Sequence, residues 1–279
     1  MLITDAELDS IIHLVTEKTG IIPRASHRSG IKLYIEKELY ERCCTVQSYK
    51  TALLTDNTLF SELVNESTVN ETYFFREEKQ FALLRSRLFP MWRAMFGNMT
   101  MRIWSAACSF GEEAYSLALL AKFCGVRASL TASDINSEVL EHCKKGVFTG
   151  SSIRQVDGRA FKDLLLPYIQ PDGWIKFSED IKSCIAVKKI NLSLIDSPLY
   201  DSLLPKNQNI IFLRNVFIYF NLELRSRILH TIADKCLADA GVLFVSMSEI
   251  AQLDSSVVPP SFEKVVDGNV FYFRKKKGR

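Results

Sequence analysis

A chain of 279 residues with 47% hydrophobic and 24% charged side chains has the balance of an ordinary globular protein, long enough for one large domain with a small one beside it. A net charge of +3 is too small to mark a nucleic-acid binder, the basic tail "RKKKGR" reads as a solvated end, and no run of 18 apolar residues is present to insert into a membrane. The seven cysteines show no C-x-x-C spacing, which excludes a zinc site or a disulfide framework and leaves no metal expected.

In chain order, the start "MLITDAELDS" carries acids where a secretory signal carries bases, and no apolar stretch follows it. Buried thiols in a reducing cytoplasm are therefore the expectation. The spacing in "TDAELDSIIHLVTEKTG" predicts a helix capped by Thr4 or Asp5, with Glu7 near the capping-box position and Gly20 as its stop. In "SGIKLYIEKELYERCC", Ile31, Ile35 and Leu39 share one helical face. Two shorter helices are expected over 46–54 and 58–67, making residues 1–68 an all-helical domain. A linker over 69–79 follows, in which Asn70, Thr72 and Arg76 are polar among Tyr73, Phe74 and Phe75. It should pack on the larger domain, and Arg76 should then need a carboxylate partner.

The larger domain, 80–279, alternates strands with helices. Strands are expected at 101–107, 129–134, 185–191, 210–216 and 242–248, with helices at 112–124, 136–145 and 221–238. Within 147–184 the alternating runs around Gly173 suggest a small antiparallel flap, placed near 170–190. The chain ends in a hairpin with an Asp-Gly turn, "FEKVV-DGN-VFYFRK". Alternating β and α gives an α/β doubly wound sheet, and the closing hairpin points to the class I methyltransferase-like variant.

In such a sheet the ligand sits beyond the carboxyl ends of the strands. The first of these corners, "SAACSFGEE", has Gly111 to let the backbone turn closely under a ligand, with Glu112 and Glu113 opening the next helix. Those acids repel phosphate and suit a cofactor carrying an amino group and a sulfonium, with Glu113 holding the amino group. Asp134 ends the next strand, 23 residues after Gly111, where an acid accepts both ribose hydroxyls; its alternative role is to cap the helix that follows. Asn191, Arg214 and Asn215 bring polar groups to the same rim.

"NETYFFRE", "WSAACSFGEEAYSLA", "ASDINSEVLEHCKKGVF", "INL" and "LRNVFIYF", in this order and spacing, resemble the CheR family of chemotaxis-receptor methyltransferases over nearly the whole chain. The resemblance implies transfer of a methyl group from S-adenosylmethionine to receptor glutamates, leaving S-adenosylhomocysteine. It places the cofactor contacts on Asn70, Thr72, Arg76, Glu113, Asp134, Asn191, Leu192, Arg214 and Asn215, and sets Tyr219 beside the transferred methyl, with Arg76 and Tyr219 as the catalytic pair. It also implies that a basic helix of the N-terminal domain, here carrying Arg28, Lys32, Lys37 and Arg42, grips acidic cytoplasmic helices of methyl-accepting chemotaxis receptors.

Residues 1–75 hold 7 Lys or Arg against 11 Asp or Glu, however, and Lys32 can pair with Glu36 and Lys37 with Glu41 at i,i+4 spacing. A cytoplasmic monomer is the expected form. The competing readings are a methyltransferase for another acceptor and a non-catalytic regulator that binds the cofactor.

Overall fold

The computed structural model describes residues 2–278; Arg279, the end of the basic tail, lies outside them. Helix α1 (Asp5–Thr19) begins as its sequence dictates. The Thr4 hydroxyl accepts from the Glu7 amide at 3.3 Å, and the Glu7 carboxylate accepts from the Thr4 amide at 2.8 Å. It ends at Gly20, whose φ of 70° is left-handed. Helix α2 (Arg28–Glu41) turns Ile31, Ile35 and Leu39 inward, each no more than 1% exposed. Helices α3 (Val46–Thr55) and α4 (Asn57–Ser67) start at Thr45 and Asp56, whose side chains accept from backbone amides of the first turn. Leu8, Ile11, Val15, Tyr49, Leu53 and Leu63 complete this helical core.

No helix is expected from the sequence over 78–96, yet α5 (Glu78–Leu83) and α6 (Phe89–Phe96) run there, joined by a π turn at Leu84–Leu88. The Phe89 amide reaches back to the Leu84 carbonyl just before Pro90, a residue that lacks an amide hydrogen. The wide turn and the proline together break the 3.6-residue period that would have revealed one helix.

The sheet then builds through β1 (Met101–Ala106), α7 (Glu112–Phe123), β2 (Ala128–Asp134) and α8 (Ser137–Lys145). Next come β3 (Val147–Phe148), β4 (Ile175–Lys176), α9 (Glu179–Lys182), β5 (Ile185–Lys189), β6 (Gln208–Leu213), α10 (Leu222–Thr231), β7 (Leu237–Phe244), β8 (Phe262–Asp267) and β9 (Val270–Lys275). The main sheet has the order β5-β2-β1-β6-β7-β9-β8. Strands β5, β2, β1, β6 and β7 are parallel, and β9 enters antiparallel between β7 and β8. This is the class I methyltransferase-like fold, with the expected closing hairpin. The chain leaves β1 toward β2 and β5, then returns to β6 and β7, so the switch point lies between β1 and β6.

Several boundaries differ from expectation: β6 covers 208–213 in place of 210–216, β5 stops at 189, and the helix expected over 221–238 ends at Thr231 with a π turn at Ile232–Cys236 before β7. Strand β7 begins at Leu237, not 242, because "ADAG" loops out between the pairings of Leu237 with Gln208 and Val242 with Ile210. Ala240 there has φ 60°. The flap is smaller than expected: β3 pairs with β4 over two residues on each strand, and residues 185–189 belong to the main sheet as edge strand β5. So short a ladder holds little by itself. Aromatic packing supplies the attachment, with Tyr115 stacked on Phe177 at 4.4 Å and Phe74 edge-on to Phe148 at 5.1 Å between ring centroids. Among the described residues, no helix is long and apolar enough to cross a membrane.

Gly111, between β1 and α7, has a different duty from the one its position suggests. Its φ is 106°, and a Cβ there would lie 2.5 Å from Sγ of Cys143 on α8. The glycine lets two helices close on each other; it does not line the ligand cavity. Gly111→Ala should cost on the order of 1–3 kcal/mol from backbone strain and overlap. Urea unfolding measures this, and adding Cys143→Ala should restore part of the loss.

Candidate functional site

A cavity with about 930 Å³ of empty space, open solvent at its mouth included, lies at the switch point. Its floor is made by residues just past the strand ends. Ala107 and Ser109 after β1, and Asn215 after β6, have φ of 60°, 50° and 58°. These are left-handed positions, which Asn tolerates and which Ala and Ser adopt at some cost in backbone strain.

Glu113 and Arg214 form the centre. The Arg214 Nε donates to Glu113 Oε2 at 2.7 Å, and the Ser105 hydroxyl donates to Oε1 at 2.6 Å. The side chains are only 3% (Arg214) and 11% (Glu113) exposed. Arg214 Nη1 also donates to the Arg76 carbonyl at 2.7 Å and to Gln80 Oε1 at 3.1 Å, while Gln80 Nε2 donates to the Val245 carbonyl at 2.7 Å. One guanidinium therefore joins α7, the linker, α5 and the end of β7. Buried ions survive only when partnered, and here both oxygens of Glu113 and the Nε and Nη1 of Arg214 are.

The linker is braced on its other side as well. Asp157 accepts from the Glu77 and Glu78 amides at 2.8 and 3.1 Å and from the Tyr73 hydroxyl at 2.8 Å. Burial would raise the Asp157 carboxyl, but these donors outweigh it and hold it below the usual aspartate range. Phe74 and Phe75 are core residues, so the linker is anchored by its aromatics. Arg76 does not meet the carboxylate expected for it. Its guanidinium donates to the Glu71 carbonyl at 2.6 Å and lies over the Tyr73 ring at 5.5 Å, half-buried at the cavity wall.

Asp134 accepts from the Ser109 amide at 2.9 Å and the Asn136 amide at 3.0 Å, facing the cavity. It does not cap α8; Asn136 does, accepting from the Glu138 and Val139 amides. Burial pushes the Asp134 carboxyl above the usual aspartate range, against the backbone donors of Asn136, Ser109 and Ile135. The Asn191 side chain accepts from the Ser193 amide at 2.9 Å and donates to the Lys18 carbonyl at 3.2 Å, so its polar atoms are engaged at the rim. The cavity wall thus brings together Asn70, Thr72, Arg76, Glu113, Asp134, Asn191, Leu192, Arg214, Asn215 and Tyr219.

Other contributors escape sequence reasoning. Thr19 and Ile21 show that the N-terminal domain forms part of the wall. Glu249 is fully buried and holds the Asn215 amide at 2.8 Å; burial raises its carboxyl above the usual glutamate range. Glu77, at φ 59°, binds the Ser246 hydroxyl and, at 3.0 Å, the Met247 amide beyond β7. Nothing in "REEKQF" or "SMSEI" marks either acid, because each acts on backbone amides distant in the chain.

Arg28, Lys32, Lys37 and Arg42 do not reach the cavity. Arg28 pairs with Asp9 at 2.6 Å, Lys37 with Glu41 at 3.9 Å as expected, and Arg42 with Glu38 at 2.7 Å. Lys32 meets Asp5 of α1 at 3.2 Å, not Glu36, whose carboxylate accepts from the Ile3 amide.

The wall suits the cofactor the fold implies. It carries the carboxylates of Glu71, Glu113 and Asp134 against the guanidinium groups of Arg76 and Arg214, leaving one net negative charge, with no lysine for a phosphate. The Ser109 hydroxyl is buried there without a protein partner. A phosphate-free cation with hydroxyl and amino groups fits this lining.

Fold and site together define an α/β methyltransferase-type cofactor domain. The family model for the CheR methyltransferase SAM-binding domain matches residues 70–262, and the chain belongs to that family. A chemotaxis protein methyltransferase of Borreliella burgdorferi is 30% identical, covering 81% of this chain and 82% of that protein. Chemotaxis protein methyltransferase 2 of Vibrio cholerae is 28% identical over 100% of this chain and 96% of its own length, and the Escherichia coli chemotaxis protein methyltransferase is 28% identical over 88% and 85%.

Asp134 gives the site a pH signature. As pH falls through its raised pKa, the carboxyl gains a proton and loses acceptor capacity. Affinity for S-adenosylhomocysteine should therefore begin to drop above the usual aspartate range. Asp134→Ala should weaken binding at least ~10-fold at neutral pH, the cost of a charged-acceptor hydrogen bond. Calorimetry across pH checks both, and Asp134→Asn should remove that limb of the profile.

Proposed function

We propose that this protein transfers a methyl group from S-adenosylmethionine to glutamate side chains of methyl-accepting chemotaxis receptors, giving glutamyl methyl esters and S-adenosylhomocysteine. The observation that carries the reading is one cavity, net negative by a single charge, in a CheR-family chain, whose wall holds both Arg76 and Tyr219. The chemotaxis methyltransferase relatives support the choice of receptors as substrate. In this reading the chain acts as a cytoplasmic monomer.

Asn70, Thr72, Glu113, Asp134, Asn191, Leu192, Arg214 and Asn215 hold the cofactor, which supplies an electrophilic methyl on a sulfonium. Asp134 and the Ser109 hydroxyl take the ribose side, while the Glu113–Arg214 pair faces the amino-acid end. A glutamate acceptor, with reference pKa ~4.3, is ionised at neutral pH, so no general base is required. Arg76 and Tyr219 orient its carboxylate, and rate comes from alignment. Burial raises the Tyr219 hydroxyl, with Arg24 and Arg76 opposing, so it stays protonated and able to donate.

Residues 1–68 serve substrate recognition, with 69–79 as the linker that completes the cofactor site ahead of the catalytic domain. Arg28, Lys32, Lys37 and Arg42 dock the acidic receptor helix by exchanging partners. The pairs of Arg28, Lys32 and Lys37 face solvent, and such pairs contribute about 0–1 kcal/mol each, whereas Glu38, the partner of Arg42, is buried.

The test is incubation of receptor-bearing membranes with methyl-labelled cofactor. The label should appear on receptor glutamates, and mild alkali should release it as methanol. Tyr219→Phe should lower kcat, by as much as ~100-fold if alignment is lost, and change product affinity little. A protein that binds the cofactor yet labels no receptor glutamate, and in which Tyr219→Phe changes nothing, is instead a cofactor-binding regulator.

A further inference from the structure

The N-terminal domain contributes more than a distant docking helix. Its chain leaves α1 at Gly20 and runs past the cavity before α2 begins, with Ile21 on the cavity wall. The Ile22 amide donates to the Tyr219 carbonyl at 3.0 Å, fastening this passage to the proposed catalytic tyrosine. Two residues on, the guanidinium of Arg24 lies over the Tyr219 ring, 5.3 Å from its centroid.

Arg24 differs from the basic residues of α2 and its C-terminal end. Arg28, Lys32, Lys37 and Arg42 each have a carboxylate partner, whereas Arg24 is exposed and, among the described residues, forms no salt bridge. Arg76 approaches Tyr219 as a second cation, and both arginines act on the tyrosine hydroxyl as positive neighbours. Tyr219 therefore carries one guanidinium on its ring, with Arg76 and the carboxylates of Glu71 and Glu249 as more distant charged neighbours. Arg76 comes from the linker and is engaged by the Glu71 carbonyl; Arg24 comes from the N-terminal domain with its charge uncompensated. An exposed guanidinium held over an aromatic face keeps its donor edges free for an anion, and such stacking costs it little hydration.

We propose that Arg24 is an acceptor-specificity residue: it binds an acidic side chain of the protein substrate next to the glutamate presented at Tyr219. This rests on the methyl-transfer reading above and assigns a recognition residue at the mouth of that same site. The ligand class is an anionic protein segment. An acceptor that is neutral around its target glutamate meets an uncompensated guanidinium and gains nothing there, so Arg24 makes the choice of glutamate depend on local charge. Because its partner is the acceptor and not the cofactor, Arg24 acts on KM.

The experiment uses the full-length protein with receptor-bearing membranes and methyl-labelled cofactor. Arg24→Gln should raise the receptor KM about tenfold, in the range of a lost interfacial charge contact, with kcat and S-adenosylhomocysteine affinity unchanged. Arg24→Lys should recover part of the loss. Lys50→Gln removes one positive charge from α3, away from the cavity, and should leave KM unaltered. Added salt should shrink the gap between wild type and Arg24→Gln.

A lower kcat at unchanged KM would mean that Arg24 only steadies the Tyr219 ring, and would overturn the proposal. Unchanged kinetics in Arg24→Gln would also overturn it while leaving the methyltransferase reading intact. If the wild-type protein labels no receptor at all, the underlying reading fails, and the assignment to Arg24 falls with it.

Discussion

The site depends on one buried ion pair. Arg214 leaves the end of β6 and meets Glu113 at the start of α7, in surroundings where neither ion would persist alone. The further hydrogen bonds of the pair hold other elements in place. Ser105 fixes the carboxylate from β1, Gln80 fixes the guanidinium from α5, and the Arg76 carbonyl ties down the linker. Residues distant in the chain become a single wall because one guanidinium needs all of them. The helix start at Glu113 adds a favourable dipole for the carboxylate, so local and long-range electrostatics agree.

Charge is shared out unevenly around this centre, and the unevenness has consequences. Arg214 uses its Nε and Nη1 to hold structure, Asp134 has only backbone donors, and Ser109 keeps a free hydroxyl. The lining can therefore accept hydrogen bonds from a polyhydroxylated cation yet has little to offer a phosphate. That division separates this corner from the glycine-rich turns that cradle pyrophosphate, where backbone amides are left open to an anion. Here the Ser109 amide, which a phosphate would need, is already given to Asp134.

Much of this was legible in the sequence because the relevant signals are local. Thr4, Glu7 and Gly20 specify α1 by capping chemistry, and the placing of Asp134, Asn191 and Arg214 at or just past strand ends follows from alternation of apolar runs with polar stops. Signals that act through space were not legible. Gly111 is required by Cys143, 32 residues onward, and not by a ligand. Lys32 chooses Asp5 on another helix over Glu36 on its own. Gln80, Glu249 and Thr19 enter the site only through packing of α5, the turn after β7 and the end of α1. The helix over 78–96 was hidden for a different reason: a π turn and Pro90 shift its register midway.

The claim that the Glu113–Arg214 pair organises both the fold around the site and cofactor capture is most directly tested by a double-mutant cycle. Urea unfolding and S-adenosylhomocysteine titration would be run on wild type, Arg214→Met, Glu113→Gln and the double variant. Arg214→Met should lose about 3–5 kcal/mol, because it strands a buried carboxylate, and the double variant should lose clearly less than the sum of the singles. Cofactor affinity should be weakened in all three variants. Additive, sub-1 kcal/mol effects with affinity intact would contradict the account, since surface-like behaviour of roughly that size belongs to a pair that organises nothing.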